Sequence, residues 1–263
     1  MAATRFKAWL LALALAGCDD QQGNAAPAAP APAPEIPAAA VAGHCEERRF
    51  EETLFTVCRY DPAIQKLELI VDPGGTPLRS FERLEAHLGE RAGRLLFAMN
   101  AGMYDEAGMP IGLHVENGRQ RRAINLRDGT GNFHLKPNGV FAVDRQGRVS
   151  VTRSDRFRVR RPLWATQSGP MLVVDGALHS AFQPNGQSQL IRNGVGVSDP
   201  RTAWFVISEG PVSFGRFARF FRDALGCRNA LYLDGNVSSL WDPEAGRQDG
   251  HPQLGPMVAV FRR

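Results

Sequence analysis

The chain has 263 residues, of which 43% are hydrophobic and 22% charged, so it is long enough for one large domain or two small ones. Its formal net charge of +4 falls to +2 when residues 1–17 are left out, because Arg5 and Lys7 are their only charged side chains. The remaining basic residues are almost all arginines that acids nearly balance, so the charge gives no indication of a nucleic acid partner.

Residues 1–17 have the pattern of a signal peptide. Arg5 and Lys7 precede an apolar run from Ala8 to Gly17, which is too short for a membrane-spanning helix. No other segment is long and apolar enough to span a bilayer.

The end of this segment, Leu15-Ala16-Gly17-Cys18, resembles the lipobox of bacterial lipoproteins. The resemblance implies cleavage before Cys18 and lipid attachment to this cysteine. Asp19 resembles the signal that keeps such proteins in the inner membrane, so we predict a lipid-anchored protein on its periplasmic face. Plain secretion with an unmodified Cys18 is the alternative.

The next segment is rich in alanine and proline and cannot bury a core. We therefore predict that residues 18–43 comprise the lipidated cysteine and a disordered tether. Residues 44–263 are then predicted to form a single globular domain, whose length is within the range for one domain.

The domain begins with strand patterns at Thr53–Tyr60 and Lys66–Asp72. Cys45 and Cys58 flank the predicted hairpin at this point, and in an oxidising compartment they are candidates for a disulfide. Cys227 would then remain unpaired, as a small buried hydrophobic residue.

Two helices are predicted among the remaining strands. Ser80 is a candidate cap for a short helix that ends at Gly89. A second helix runs through Phe217, Phe220 and Phe221 into Leu225, with these side chains on one face. Further strands are predicted at Leu95–Met99, Asn193–Ser198, Thr202–Ser208, Ala230–Leu233 and Met257–Phe261, and hairpin turns at Asn117-Gly118, Gln146-Gly147 and Asp175-Gly176.

Many hairpins with only two helices indicate an α+β fold, in which a mostly antiparallel or mixed sheet has its helices packed on it. Arg156, Arg158 and Arg160 alternate, so that on a strand they would form a basic stripe. That stripe is either a surface for an anionic polymer or, more simply, a solvated strand face.

Short clusters of polar residues and glycines recur at the predicted strand ends. The clusters are Asn100-Ala101-Gly102, Ser168-Gly169-Pro170, Arg192-Asn193-Gly194, Glu209-Gly210 and Asp234-Gly235, the last followed by Ser238. Their order and spacing, over about Phe97 to Leu240, resemble the motifs of the phosphodiester glycosidase domain family. Asn193-Gly194 and Asn236-Val237 depart from that pattern, which has Thr-Ala and two glycines at these places.

The resemblance implies a hydrolase that cleaves the bond between C1 of a sugar and a phosphate ester in a cell-envelope glycan. Asp234 and Glu209 are then the predicted catalytic carboxylates, because a cationic transition state at C1 is stabilised by carboxylates. The remaining motif residues are predicted to bind substrate: Arg192 and a nest of N–H groups at Gly235 the phosphate, and Asn100, Ser168 and Ser238 the sugar hydroxyls.

Two alternatives remain open at this point. No cofactor is predicted, but Asp234 and Glu209 together with backbone carbonyls are suitable ligands for a divalent cation. The chain could also be a non-catalytic glycan-binding or scaffold lipoprotein that has kept the fold. An enzyme requires both carboxylates and Arg192 to open into one pocket, whereas a binder would present an aromatic platform. The candidate platform residues are Trp164, Trp204 and Trp241.

Other enzyme classes are disfavoured by the motifs that the sequence lacks. The six histidines do not form a His-Glu-x-x-His motif, and neither a Gly-x-Ser-x-Gly turn nor a phosphate-binding Gly-x-x-x-x-Gly-Lys-Ser/Thr loop is present.

Overall fold

Antiparallel sheets account for most of the regular secondary structure in the computed structural model, which describes residues 44–250 and 253–263. The predicted signal peptide, the lipidation site at Cys18 and the predicted tether lie outside the described residues. All described residues belong to one compact unit. Of the helices in the described part of the chain, none has the length and apolarity needed to cross a bilayer.

The first sheet has seven strands and carries most of the motif residues. Its strands, in spatial order, are β1 (Cys45–Phe50), β2 (Thr53–Tyr60), β13 (Thr202–Ser208), β12 (Asn193–Asp199), β14 (Asn229–Tyr232), β10 (Met171–Val174) and β11 (Ala177–Leu178). Neighbouring strands pair antiparallel throughout. At the edge of this sheet, Cys45 and Cys58 pair across β1 and β2 and form a disulfide.

The other two sheets have five antiparallel strands each. The second sheet has the order β16 (Arg247–Gln248), β15 (Leu240–Asp242), β4 (Leu95–Asn100), β17 (Met257–Arg262) and β3 (Gln65–Ile70). The third has the order β6 (Arg119–Arg122), β5 (His114–Glu116), β9 (Trp164–Ser168), β7 (Gly139–Val143) and β8 (Val149–Arg153).

One hydrophobic core joins the three sheets. Phe205 of the first sheet lies 5.6 Å, between ring centroids, from Phe97 of the second. The same ring lies 5.4 Å from Phe141 of the third. All three rings are buried in the same cluster, and a shared core of this kind makes the sheets depend on one another for burial of apolar surface.

Each helix covers the outer face of one sheet. α1 (Phe81–Leu88) packs on the second sheet, with the Ser80 hydroxyl accepting a hydrogen bond from the Arg83 N–H at its start and Gly89 at positive φ at its end. α2 (Phe214–Arg219) continues as a π-helical turn through Phe220–Ala224 and packs on the first sheet. The predicted apolar face of this helix is confirmed, because Phe217, Phe220, Phe221 and Leu225 are all buried.

The predicted α+β class, with mostly antiparallel sheets and two helices, is confirmed. Arg156, Arg158 and Arg160 do not lie on a strand. The chain leaves β8 in a short 3₁₀ turn, Ser154–Arg156, and the Phe157 N–H donates to the Ser154 carbonyl instead of to a neighbouring strand. The alternating arginines therefore do not form a stripe on a strand.

Candidate active site

Three strand ends from two sheets meet at two buried asparagines. Asn100 ends β4, Asn193 begins β12, and Asp234 follows β14 by two residues. The Asn193 Nδ2 donates to both the carbonyl and the Oδ1 of Asn100, each at 2.9 Å. In turn, the Asn100 Nδ2 donates to the Asp234 carbonyl at 2.7 Å. The side-chain amides thus hold the end of the first sheet against the end of the second.

Two serines complete this arrangement, which we call the asparagine cluster: Asn100, Asn193, Ser238 and Ser239. The Ser239 N–H donates to the Asn100 Oδ1 at 2.9 Å, and the Ser238 hydroxyl lies 3.3 Å from the Asn193 Oδ1. Buried amides that find partners on every side are rigid and specific for one arrangement. The cluster therefore fixes the position of the chain from Asp234 to Ser239.

The turn at Asp234 is closed by hydrogen bonds between its own residues. The Asp234 Oδ1 accepts the Asn236 N–H at 3.2 Å, and its carbonyl accepts the Val237 N–H at 3.3 Å. The Asn236 and Val237 N–H groups are therefore bonded within the turn itself, and anion binding at Gly235 stays a prediction. Gly235 has another reason to be glycine: a Cβ on this residue would overlap the Tyr232 hydroxyl.

Two tyrosines lie close enough to Asp234 to sense its charge. Burial raises the pKa of Tyr104, and the Asp234 carboxylate raises it further. Burial also raises the pKa of Tyr232, where the Asp234 carboxylate acts in the same direction and Arg192 in the opposite one. Both hydroxyls are therefore protonated at neutral pH, beside a half-buried carboxylate.

Arg192, the residue directly before β12, is fully buried on the face of the first sheet that α2 covers. Its Nε donates to the Val212 carbonyl at 2.8 Å, and its Nη2 donates to the Ser188 carbonyl at 3.0 Å. The guanidinium stacks 3.7 Å from the Phe214 ring centre and lies 3.4 Å from the Tyr232 hydroxyl, and its burial lowers the pKa of the arginine. The expectation that Arg192 opens into a pocket with both acids is not met, because main-chain carbonyls and rings enclose it.

Strand alternation explains why adjacent residues point to different places. Since side chains alternate across a strand, Asn193 faces the second sheet while Arg192 faces α2. Gly194 and Gly196, on the helix side of β12, have no side chain at the points where Phe217 and Phe221 pack closely.

Glu209 belongs to a separate network at the same end of the first sheet. Its Oε1 accepts hydrogen bonds from the Thr56 hydroxyl at 2.5 Å and from Arg247 at 2.6 Å. Arg247 in turn donates twice to Asp249, at 2.9 Å each. Glu209 follows β13 and Asp234 follows β14, with β12 between them, so two interstrand spacings, about 10 Å, separate their backbones.

Ser168 ends β9 at the same end of the domain. Its side chain is fully buried, and its hydroxyl has no hydrogen-bond partner among the described residues. The Gly169-Pro170 peptide bond is cis, and the Pro170 carbonyl accepts the Tyr232 N–H at 3.0 Å. The Ser-Gly-Pro motif thus joins the third sheet to the strand that leads to Asp234.

A shallow depression of about 390 Å³ opens beside the Asp234 turn. Its lining includes Gly235, Asn236 and Ser238 on one side and the exposed side chains of Leu190 and Ile191 on the other. Backbone and hydroxyl groups next to an apolar wall suit a sugar ring, which has polar edges and an apolar face.

The structure also shows where the residues named for the two alternatives lie, the aromatic platform and the divalent-cation site. Trp164 and Trp241 are buried, and Trp204 is half-buried with the Arg48 guanidinium 5.3 Å from its ring centre, so these three do not form an open platform. No group of three or more His, Cys, Asp or Glu side chains within the described ranges is arranged to hold a metal ion.

Sequence reasoning missed Asn193, Tyr104 and Tyr232. Asn193 was noted only as a departure from the family pattern, and its position directly after a motif arginine was the available signal. Tyr104 follows the Asn100-Ala101-Gly102 cluster by two residues, and that position was the available signal. Tyr232 looked like an ordinary residue of a buried strand, and no pattern distinguished it.

Comparison with known proteins places these elements in a family. A family model described as phosphodiester glycosidase matches residues 93–250, which hold all the motif clusters. The uncharacterized protein YigE of Escherichia coli (strain K12) is 41% identical over 150 residues, or 57% of this chain. The match spans 59% of the length of YigE.

Solved structures show the same fold. The zebrafish N-acetylglucosamine-1-phosphodiester alpha-N-acetylglucosaminidase catalytic domain, auto-inhibited by its pro-peptide, superposes with a TM-score of 0.57 at 14% identity, covering 83% of this chain and 81% of that one. A putative exported protein from Burkholderia pseudomallei K96243 gives 0.53 at 14% identity, covering 80% of this chain and 74% of that one. A hypothetical protein from Synechocystis gives 0.52 at 16% identity, with coverage of 83% and 61%.

Proposed function

Because this chain belongs to the phosphodiester glycosidase family, we propose that it hydrolyses the bond between C1 of a sugar and a phosphate ester, or a closely related glycosidic bond. The observation that carries the proposal is the asparagine cluster, which holds the Asp234 turn beside an open depression within the family-matched stretch. The printed name of the zebrafish relative describes an enzyme for N-acetylglucosamine-1-phosphodiesters, and this supports the same class of bond.

Asp234 is the carboxylate that we assign to the reacting carbon. Cleavage at C1 develops positive charge on the sugar ring, and a fixed carboxylate stabilises that charge. A phosphate leaves readily as an anion, so protonation of the leaving group is less important than with an alcohol. The Asn100 side chain donates a hydrogen bond to the Asp234 main-chain carbonyl. This bond supports a preorganised position for the Asp234 carboxylate.

The other motif residues receive separate roles in this proposal. Ser238 and the depression around it contact the sugar. Arg192 is a positioning residue, because its guanidinium supports the Tyr232 hydroxyl beneath Gly235 and does not reach the surface. Glu209, half-exposed and bonded to Arg247 through one oxygen, is the second carboxylate. Ser168 is proposed to support the floor of the site.

The proposed substrate is a phosphate-bearing glycan of the cell envelope. The signal peptide, the lipobox at Cys18 and Asp19 support an address on the periplasmic face of the inner membrane. The Cys45–Cys58 disulfide is consistent with an oxidising compartment of this kind.

The test is hydrolysis of a panel of activated sugar 1-phosphodiesters by the purified chain carrying Cys18→Ser. We expect turnover of at least one member, and we expect Asp234→Asn to lower kcat/KM by about 10²–10⁴-fold. Asp223→Asn, which makes the same change at an exposed carboxylate paired with Arg222 in the helix that covers the first sheet, is the matched control and should retain activity. Full activity in a folded Asp234→Asn variant would disprove the assignment of Asp234.

A non-catalytic glycan-binding protein is the second candidate, and two observations favour it. Asn193-Gly194 and Asn236-Val237 depart from the family motifs, and the motif arginine is enclosed. In that case the chain would bind envelope glycan without turnover of any panel member. Asp234→Asn would then leave glycan affinity unchanged, whereas Ser238→Ala would weaken it.

A further inference from the structure

A second hollow lies at the end of the domain opposite the candidate active site. Its volume is about 410 Å³, and three arginines, Arg145, Arg201 and Arg263, stand on its rim. Arg201 occupies the turn between β12 and β13, whereas the opposite ends of these two strands hold Asn193 and Glu209. Seven residues of strand, about 20 Å, therefore separate the two regions. We call the second region the basic hollow.

The charges of the basic hollow are not neutralised by its own acids. Asp144 is paired with Arg148 at 2.7 Å, and Glu68 is shared by Lys66 at 2.9 Å and Arg91 at 2.7 Å. No Asp or Glu side chain lies within ion-pair distance of the three rim arginines in the part of the chain that the structure describes. The rim therefore has a surplus of exposed positive charge, which attracts anions.

The floor of the basic hollow is the end of the shared core. Tyr60, Leu67, Val143 and Trp164 form it and are buried. The turn of the β7–β8 hairpin packs against Pro62, since a Cβ on Gly147 would lie 3.2 Å from that ring. The rim arginines are therefore carried by rigid hairpin turns and strand ends.

An exposed isoleucine projects beside the arginines. Ile64 is 63% exposed, the highest value among the large hydrophobic side chains that the structure describes. It lies in the tight turn between β2 and β3, where the Ile64 and Gln65 N–H groups both donate to the Asp61 carbonyl. Its neighbours Pro62 and Gln65 line the hollow. An apolar side chain that protrudes among arginines is typical of surfaces that contact anionic membranes.

The first described residue, His44, lies at this same end of the domain, so the preceding segment connects here. The His44 carbonyl accepts the Arg59 N–H at 3.0 Å, and Cys45 is bonded to Cys58. The next residue of β2 after Arg59 is Tyr60, which lines the hollow. Residues 1–43, which contain the proposed lipidation site, therefore join the domain beside the basic hollow.

We propose that the basic hollow and Ile64 dock this domain on the headgroups of anionic phospholipids. The rim arginines donate hydrogen bonds to lipid phosphates, and Ile64 enters the headgroup layer. The candidate active site then faces away from the bilayer, toward the envelope glycan. This docking does not depend on the chemistry assigned to Asp234, and it would hold for a non-catalytic protein too.

Vesicle binding of the chain from residue 18 onward, the predicted mature protein, tests the proposal. All variants carry Cys18→Ser, so that the apolar signal segment and the covalent lipid are both absent and the N-terminal segment is the same in each. We expect tighter binding to phosphatidylglycerol-containing vesicles than to pure phosphatidylcholine vesicles, and loss of the difference at about 0.5 M salt. Replacing Arg145, Arg201 and Arg263 together by glutamine should weaken binding to the anionic vesicles about 100-fold. Ile64→Ser should weaken it by about tenfold.

Two matched variants separate local docking from general charge. Replacing the exposed arginines Arg83, Arg156 and Arg160 by glutamine changes the net charge equally away from the hollow, and binding should fall by less than about threefold. Lysine at the three rim positions keeps the charge and should retain most of the binding, which also shows that the fold tolerates the changes. Equal losses in both glutamine triples would overturn the proposal.

A soluble phosphate distinguishes the lipid surface from a small-anion site. Glycerol 3-phosphate, added at constant ionic strength, should compete poorly because it offers neither a surface nor a place for Ile64. Complete displacement of the chain from vesicles by this compound would contradict membrane docking. That result would assign the hollow to a free phosphate ester.

Discussion

The asparagine pair is the point at which the candidate site is most sensitive to a single side chain. Asn193 donates twice to Asn100, and Asn100 in turn holds both the Asp234 carbonyl and the Ser239 N–H. Both side chains are fully buried. A buried carbonyl that loses its donor bears the full cost of its desolvation, because no water replaces the lost hydrogen bond.

We therefore predict that Asn193→Ala destabilises the fold by about 1–3 kcal/mol. The same change should lower activity or glycan affinity, since the Asp234 turn loses part of its support. Urea unfolding measures the first effect. Asn236→Ala removes an exposed amide nearby and should change stability by less than about 0.5 kcal/mol. Similar values for the two variants would show that the pair does not support the turn.

At this scale the sequence predicted which residues end strands but not what they touch. Asn100, Arg192 and Asp234 stand at the ends of predicted strands, and β4, β12 and β14 do end or begin beside them. The partner of Asn100 is 93 residues away along the chain, and no local pattern carries that information. Arg192 is enclosed by Ser188 and Val212, neither of which has a feature that predicts contact with a guanidinium.

At the scale of elements, β12 and the helix above it pack against each other closely. A Cβ on Gly196 would lie 2.5 Å from the Phe221 Cδ1 and 2.6 Å from the Cys227 Sγ. Both neighbouring side chains are buried, so neither can move without disturbing the aromatic cluster under α2. Gly196 therefore sets the distance between the helix and the first sheet.

Gly196→Ala is predicted to destabilise the protein by about 1–3 kcal/mol through overpacking. Gly210→Ala is the control, because a Cβ there would meet nothing within 4 Å and its φ is not in the left-handed region. It should be neutral within about 0.5 kcal/mol. Chemical denaturation of the two variants gives the comparison. A neutral Gly196→Ala would mean that the helix moves away from the sheet at little cost.

Most elements were predictable because their patterns are local. The predicted strand Thr53–Tyr60 has its predicted bounds, and the three predicted hairpin turns connect paired strands. The division into three sheets was not predictable, since strand patterns do not specify partners. The alternating arginines at 156, 158 and 160 did not identify a strand, because alternation alone cannot exclude a turn. Here the Phe157 N–H donates to the Ser154 carbonyl, so the chain turns directly after β8.

At the scale of the whole molecule, we expect the three sheets to unfold together, because they share one hydrophobic core. Phe205, on a central strand of the first sheet, contacts one ring from each of the others. The candidate site and the basic hollow lie at opposite ends of this common core. Its rigidity therefore keeps the proposed membrane contact and the proposed active site at a fixed separation.

Each sheet contains its own tryptophan, which allows the shared core to be tested directly: Trp204 is in β13, Trp241 in β15 and Trp164 in β9. Phe205→Ala should cost about 3–5 kcal/mol, because it removes a large buried ring that touches all three sheets. In single-tryptophan variants that also lack Trp9, denaturant midpoints read at the three positions should coincide and fall together when Phe205 is replaced. Phe157→Ala, at a half-buried ring packed on a smaller cluster, should lower them much less. A shift confined to Trp204 would show that the first sheet unfolds alone and that the sheets do not share one cooperative core.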